Sequence, residues 1–244
     1  MLPSNIMETP QGHRHLISQM IAEINSIFAE IGFVFAEGPE RELVAFNFDA
    51  LNVPKDHPSR DMQDTFYLSG KSDVVMRTHT SPVQVRYMKS HAAPIRMICP
   101  GKVFRNEATD ATHEAQFFQL EGLMIDKDVS LGHMKGVLEY FFSKFFNGEV
   151  QVRFRPSFFP FVEPGVEVDM MIAPNPDNKL SGRWIEIMGA GMVHPNVLKA
   201  SGIDPDVHQG FAFGMGIDRL AVLKYGIDDI RLMYNGDLRF TNQF

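Results

Sequence analysis

With a single cysteine, Cys99, the chain cannot close an internal disulfide, and a reducing compartment is its natural setting. Cys99 follows Ile98 in an apolar run, which suits a buried thiol better than a reactive one. No stretch approaches the roughly 20 apolar residues that a membrane span needs, and Met1-Leu2-Pro3-Ser4 lacks the charged start of a secretory leader, so the expected location is the cytoplasm. Basic residues are in deficit: 23 against 30 acidic ones, a net charge of -7. That balance argues against a protein that coats nucleic acid by charge alone, so any contact with nucleic acid must be local or shared with a partner. There is no P-loop and no Gly-x-Gly-x-x-Gly segment, and the histidines show no zinc-ligand spacing. Neither a repeat nor a low-complexity tract interrupts the chain.

What remains is ordinary globular material: 244 residues, 44% hydrophobic and 22% charged, enough for one large core and read here as one continuous domain, 1–244. Phenylalanine is unusually frequent, 21 residues against one tryptophan, and most of these rings are expected simply to pack.

Thr9-Pro10 can open a helix, along which Leu16, Ile17, Met20, Ile21, Ile24, Phe28 and Ile31 repeat at three- and four-residue spacing up to Gly32. Phe33-Val34-Phe35-Ala36 reads as a strand stopped by Gly38-Pro39, and the segment from Asn52 to Asp64, with two prolines and no periodicity, as a long loop. Ser81-Pro82 looks like the cap and first turn of a helix running to about Lys89. Ile95 to Cys99, Lys102 to Asn106 and Gln116 to Ile125 are separate strand candidates, the last two joined by the polar loop Glu107 to Glu114. Leu131 to Phe145 carries a helical apolar face, while Val150–Arg155, Val166–Met170 and Trp184–Ile187 alternate like half-buried strands. Helices at the edges and many strands between them predict an α+β fold on a mainly antiparallel sheet flanked by helices.

Two segments carry chemistry. Phe104-Arg105-Asn106-Glu107 presents a cation and a carboxylate at a strand end, just before a loop holding His113. The arginine can grip a phosphate or carboxylate through paired hydrogen bonds. Taken alone, the same residues also fit a solvated ion pair. In Gly210-Phe211-Ala212-Phe213-Gly214-Met215-Gly216-Ile217-Asp218-Arg219-Leu220, small residues at every second position clear one strand face for a flat ligand before a helix begins. Alternating glycine alone also occurs in tight packing; the full Ala-x-Gly-x-Gly-x-Asp-Arg spacing is more specific.

Together with the first helix, the strand at Phe33 and Pro39, these segments resemble motifs 1, 2 and 3 of class II aminoacyl-tRNA synthetases. Phe48-Asp49-Ala50-Leu51-Asn52, His57-Pro58-Ser59-Arg60-Asp61, Asp64-Thr65-Phe66, Arg77-Thr78-His79-Thr80-Ser81-Pro82-Val83-Gln84, Phe158-Phe159-Pro160-Phe161-Val162-Glu163-Pro164-Gly165 and Gly189-Ala190-Gly191-Met192-Val193-His194-Pro195 are similar to bacterial phenylalanyl-tRNA synthetase alpha subunits, from about His13 to Phe244. Members of that family usually begin with a coiled-coil arm that contacts tRNA; here the motif 1 helix starts almost at once. Asp218 stands where motif 3 more often has glutamate.

The resemblance implies ATP-dependent activation of L-phenylalanine to its adenylate and transfer to tRNA(Phe), normally within an alpha2beta2 assembly whose beta subunit supplies editing and much of the tRNA contact. By the same match Arg105 holds the alpha-phosphate, Arg219 covers the adenine and meets the terminal phosphates, Phe117 stacks on the other adenine face, Glu107 accepts from the exocyclic amine and His113 lies near the beta- and gamma-phosphates. Arg105 and Arg219 are thereby the catalytic pair. His79, Ser81, Gln84, Gln119 and Glu121 fall to the polar end of phenylalanine, with Phe159, Phe161 and Ala212 around its ring. Glu163 matches a carboxylate that helps bind Mg2+ at the border with the beta subunit. Without the resemblance, Phe117, Phe159 and Phe161 read as core, His113 as a loop residue and Glu163 as surface. Two other readings remain: a class II-like ligase with a different acceptor, and a regulatory module that has lost catalysis. The second predicts damaged nucleotide residues, whereas Arg105, Glu107, His113 and Arg219 are all present.

Overall fold

A computed structural model describes residues 12–61, 64–174 and 182–244. The first helix, α1 (Leu16–Glu30), begins under a cap from His15, whose ring accepts from the Ile17 N–H. Its expected opening at Thr9-Pro10 lies outside the described residues, as do positions 62 and 63 of the long loop. The predicted apolar positions Leu16, Ile17, Met20, Ile24 and Phe28 are all buried.

Seven strands form one sheet: β1 (Val34–Phe35), β4 (Ile95–Phe104), β5 (Gln116–Asp126), β6 (Val150–Phe159), β7 (Val162–Ile172), β8 (Ile185–Val193) and β9 (Gln209–Gly216), in the order β1-β4-β5-β9-β8-β7-β6. Only β1 pairs in parallel, with β4; every other neighbour is antiparallel. A second small sheet, β2 (Arg41–Leu43) with β3 (Val74–Met76), escaped the sequence reading because its strands are three residues long. The long loop contains one 3-10 turn, Pro58–Arg60.

Two of the expected strands, Ile95–Cys99 and Lys102–Asn106, prove to be one, running through Pro100. The Ala36 N–H donates to Ile98 O and the Phe104 N–H to Arg77 O, so the even-numbered backbone groups of β4 face away from β5. Pro100 shares that outward side, where its missing N–H breaks no β5 ladder bond.

One face of the sheet is closed by α1, α4 (Leu131–Phe145) and α6 (Ile217–Tyr225) around a phenylalanine-rich core. There Phe28 stacks on Phe141 at 4.8 Å and lies 5.8 Å from Phe213 of β9. The other face carries a smaller core under α3 (Ser81–Ser90), the short α2 (Val44–Asn47) and α5 (Pro195–Ala200), leaving the middle of the sheet uncovered. At the rim, buried Asp169 accepts from Arg153 and Arg155, each at 2.8 Å, and Arg155 reaches on to Glu186, which ties β6, β7 and β8 together.

Gly122 of β5 is registered against Phe213, and a Cβ there would lie 2.1 Å from the ring. With that ring inside a close-packed core, Gly122→Ala is expected to lower unfolding free energy by about 1–3 kcal/mol. Urea denaturation monitored by circular dichroism measures it, and a loss under about 0.5 kcal/mol would contradict the packing described.

Candidate active site

The uncovered centre of the sheet holds two adjoining cavities. The first, of about 610 Å³, is lined by every residue that the resemblance assigns to an amino acid: His79, Ser81, Gln84, Gln119, Glu121, Phe159, Phe161 and Ala212. The second, of about 300 Å³, is lined by all five assigned to a nucleotide: Arg105, Glu107, His113, Phe117 and Arg219. Arg105 and Glu107 line both, so they form the shared wall.

The floor follows from β9. Ala212 and Gly214 line the first cavity and Gly216 the second, as alternate residues of one strand face do. Gly214 pairs with Glu121 on one side and Gly189 on the other. A Cβ at Gly214 would come 3.1 Å from the Glu121 side chain, and one at Gly189 would sit 2.8 Å from the Phe159 ring. These glycines therefore let neighbouring side chains lie flat over bare backbone.

At the polar end Glu121 is 4% exposed. Its carboxylate accepts from Ser81 Oγ at 2.5 Å and Gln84 Nε2 at 2.9 Å, both neutral donors. Burial raises its pKa to about 7, against the pull of those hydrogen bonds and of Arg105. His79 is driven down to about 3 by burial and by the nearby Arg105 charge, so its ring is neutral. Nδ1 of His79 and Oε1 of Gln119 are buried with no hydrogen-bond partner among the described residues. Buried polar atoms left open in a cavity are what a ligand's own donors and acceptors would complete. At the apolar end the Phe159 and Phe161 rings stack 5.9 Å apart. They do not share a strand: Phe159 ends β6, and Phe161 belongs to the turn before β7.

In the second cavity the Arg105 guanidinium lies over the Phe117 ring, 5.0 Å from its centre, and Nε donates to Thr78 O. Arg219, exposed at the start of α6, donates through Nε and Nη2 to Glu186 O, a carbonyl of β8 beyond the end of the β8-β9 ladder. His113 is exposed, its loop closed by Asp110, which accepts from the N–H groups of Thr112 and His113. Those bonds hold the Asp110 carboxyl well below its usual range. The residues that sequence reasoning missed are loop residues of the first cavity, His57, Ser59, Asp64 and Asn106. The long Asn52–Asp64 loop signalled the first three, and Asn106 stands beside Arg105 in the strand-end segment.

Glu163 lines neither cavity and is exposed beside Pro164. Among the described residues no group of three or more His, Cys, Asp or Glu side chains could hold a metal ion. One carboxylate does not make a cation site, so the other ligands of any ion at Glu163 would have to come from outside the described residues.

Because burial raises Glu121 above its unfolded value, its protonated form is favoured by folding, and the stability this adds at low pH is lost as pH rises through about 7. Glu121→Gln is therefore expected to be more stable than the parent at pH 8, by on the order of 2–3 kcal/mol, and to lose that advantage below about pH 5. Thermal melts of both proteins across this range check it; an advantage that grows as pH falls would mean the carboxylate is stabilised, not strained, by its surroundings.

The family model for the tRNA synthetases class II core domain (F) matches residues 2–244. The chain is 53% identical over 237 residues to the phenylalanine--tRNA ligase alpha subunit of Caldanaerobacter subterraneus subsp. tengcongensis, covering 96% of this chain and 69% of that protein. Against the alpha subunit of Bacillus subtilis the identity is 51% over 249 residues, covering 100% of this chain and 71% of that protein. In fold it is similar to pyrrolysyl-tRNA synthetase from Desulfitobacterium hafniense, with a TM-score of 0.70 at 18% identity over 92% of this chain and 75% of that one. By architecture, by family model and by these relatives, the chain belongs to the alpha subunits of phenylalanine--tRNA ligase, class II tRNA synthetases.

Proposed function

We propose that the chain activates L-phenylalanine with ATP and passes it to tRNA(Phe), the first cavity holding the amino acid and the second the nucleotide. The shared wall carries this reading. An aromatic amino acid with its ring against Phe159 and Phe161 and its ammonium group at Glu121 directs its carboxylate toward Arg105, which also faces the nucleotide cavity. One carboxylate oxygen attacks the alpha-phosphorus, pyrophosphate leaves, and a tRNA ribose hydroxyl later attacks the acyl carbon to release AMP. Arg105 opposes the negative charge that grows on the alpha-phosphate in the transition state. Phe117 and Arg219 bound the adenine, Glu107 accepts from its amine, and His113 meets the outer phosphates. Glu121, held by neutral donors alone, gains a cation partner when the ammonium group arrives.

Mg2+ accompanies ATP in this reading, and Glu163 would supply one carboxylate toward an ion whose other ligands come from outside the described residues. The partner is a beta subunit, consistent with relatives named as alpha subunits, in an alpha2beta2 assembly that adds the tRNA contacts an acidic chain lacks. Its place of work is the cytoplasm; no described helix is long and apolar enough to cross a membrane.

ATP-pyrophosphate exchange across the amino acids, with and without a beta subunit, is the direct test. Arg105→Ala is expected to fold normally and lose most exchange, since one uncompensated charge in the transition state costs about 3 kcal/mol or more. Arg219→Ala is expected to weaken ATP binding as well as turnover, because a stacking plane and a charge go together. Near-normal exchange by the first, or parental ATP affinity in the second, would sink the respective role.

Ala212 gives a sharper test of the amino-acid cavity, since its methyl stands on an otherwise bare floor. Ala212→Gly is expected to raise kcat/KM for para-chlorophenylalanine by about 10-fold while affecting phenylalanine modestly, because a methyl-sized change is worth roughly 1–3 kcal/mol. Tyrosine gains less, its hydroxyl entering an apolar wall without a partner. An unchanged ratio of para-chlorophenylalanine to phenylalanine would place Ala212 outside the pocket.

A further inference from the structure

The spacing of two walls of the nucleotide cavity is set by hydrogen bonds behind Phe117 and Arg219. Phe117 lies on β5 and Arg219 on α6, elements with no strand ladder between them at this point. One side chain joins them: Asp218, 4% exposed, accepts from the Phe118 N–H at 2.8 Å. The residue next to Arg219 thus bonds the backbone next to Phe117. Its other oxygen accepts a short hydrogen bond from the Tyr234 hydroxyl. Burial raises both acids, Asp218 and Tyr234, which fits a phenol that stays protonated and donates to a desolvated carboxylate.

Tyr234 is itself anchored. It follows the 3-10 turn Ile230–Met233, and its N–H donates to Arg231 O at 3.0 Å. The same turn reaches the opposite wall, where the Ile230 N–H donates to Ala111 O in the loop that carries His113. Met233 O meets the His15 ring at the cap of α1. One short segment therefore braces the Arg219 wall through Asp218 and the His113 wall through Ala111.

We propose that Tyr234 is a positioning residue for ATP: its hydroxyl, through Asp218, fixes the gap between Phe117 and Arg219. This rests on reading the second cavity as the ATP site. Neither Tyr234 nor Asp218 lines the amino-acid cavity, so the effect should be confined to the nucleotide.

Tyr234→Phe removes one oxygen and leaves the ring. In pyrophosphate exchange by the alpha-beta complex, KM for ATP is expected to rise about 10-fold, what one hydrogen bond to a charged group is worth. KM for phenylalanine should stay within about 2-fold, which a general loosening of the fold would not allow. Adding Tyr234→Phe to Asp218→Ala should change KM for ATP by less than about 2-fold, since the hydroxyl then has nothing to hold. An unchanged KM for ATP in Tyr234→Phe, or equal rises for ATP and phenylalanine, overturns the proposal. Additive effects in the double variant overturn the route through Asp218. If Arg219→Ala weakens ATP binding and Tyr234→Phe does not, only this inference fails; if neither does, the ATP site itself is misassigned.

Discussion

A seven-stranded sheet with helices on both sides has every reason to fill its faces with side chains, and this one leaves the middle of one face bare. The constraint is local to two strands. Ala212, Gly214 and Gly216 alternate on β9, and Gly189 and Gly191 pair beside them on β8, so the floor is backbone over two adjacent strands. On the opposite face the same stretch of β9 carries Phe211, Phe213 and Met215, each at most 2% exposed. The strand is therefore anchored by one face alone, and the stacked rings of Phe28, Phe141 and Phe213 supply the packing that the empty face lacks. Both cavities, and the flat lie of Glu121 and Phe159 over them, depend on that asymmetry.

The bare face carries an energetic burden. A buried carboxylate whose hydrogen-bond donors are neutral, an imidazole pushed to a pKa of about 3, and two open polar atoms all disfavour the ligand-free state. Other acids in this protein are treated differently. Asp169, also hidden from solvent but less deeply desolvated, accepts from Arg155 and Arg153, which hold it below its ordinary range. The contrast between Glu121 and Asp169 follows from burial and partners together: desolvation with neutral donors raises the one, and two arginines lower the other.

How much of this the sequence disclosed depended on period and length. The 15-residue helices α1 and α4 declared themselves through apolar faces, and β9 through its alternation of small and large residues. The three-residue strands β2 and β3 carry too few positions for a period to register, and Pro100 hid the continuity of β4 because its harmlessness depends on which side of the strand its nitrogen faces, a tertiary fact. Site residues were legible mainly by resemblance. Composition alone could not separate Phe159 and Phe161 from the many core rings, nor place them at a turn. Nothing in the spacing of Asp218 and Tyr234 announced that they meet, since they stand sixteen positions apart with the rest of α6 between them.

The two half-sites are joined by a short stretch of chain between β3 and α3. Arg77, 5% exposed, donates to Lys102 O and Gly38 O, while its own carbonyl accepts from the Phe104 N–H, which stitches the segment to the outer side of β4. Thr78 O then receives Arg105 Nε, fixing the arginine of the shared wall. His79 follows with its open nitrogen, Thr80 O meets the Cys99 thiol beneath, and Ser81 donates to Glu121 as α3 begins. Five consecutive residues, Arg77 to Ser81, thus bond both Arg105 of the shared wall and Glu121 of the first cavity. In the reading proposed above one bound group attacks another, a step that orientation controls steeply, and a single segment bonded to both Arg105 and Glu121 serves that orientation.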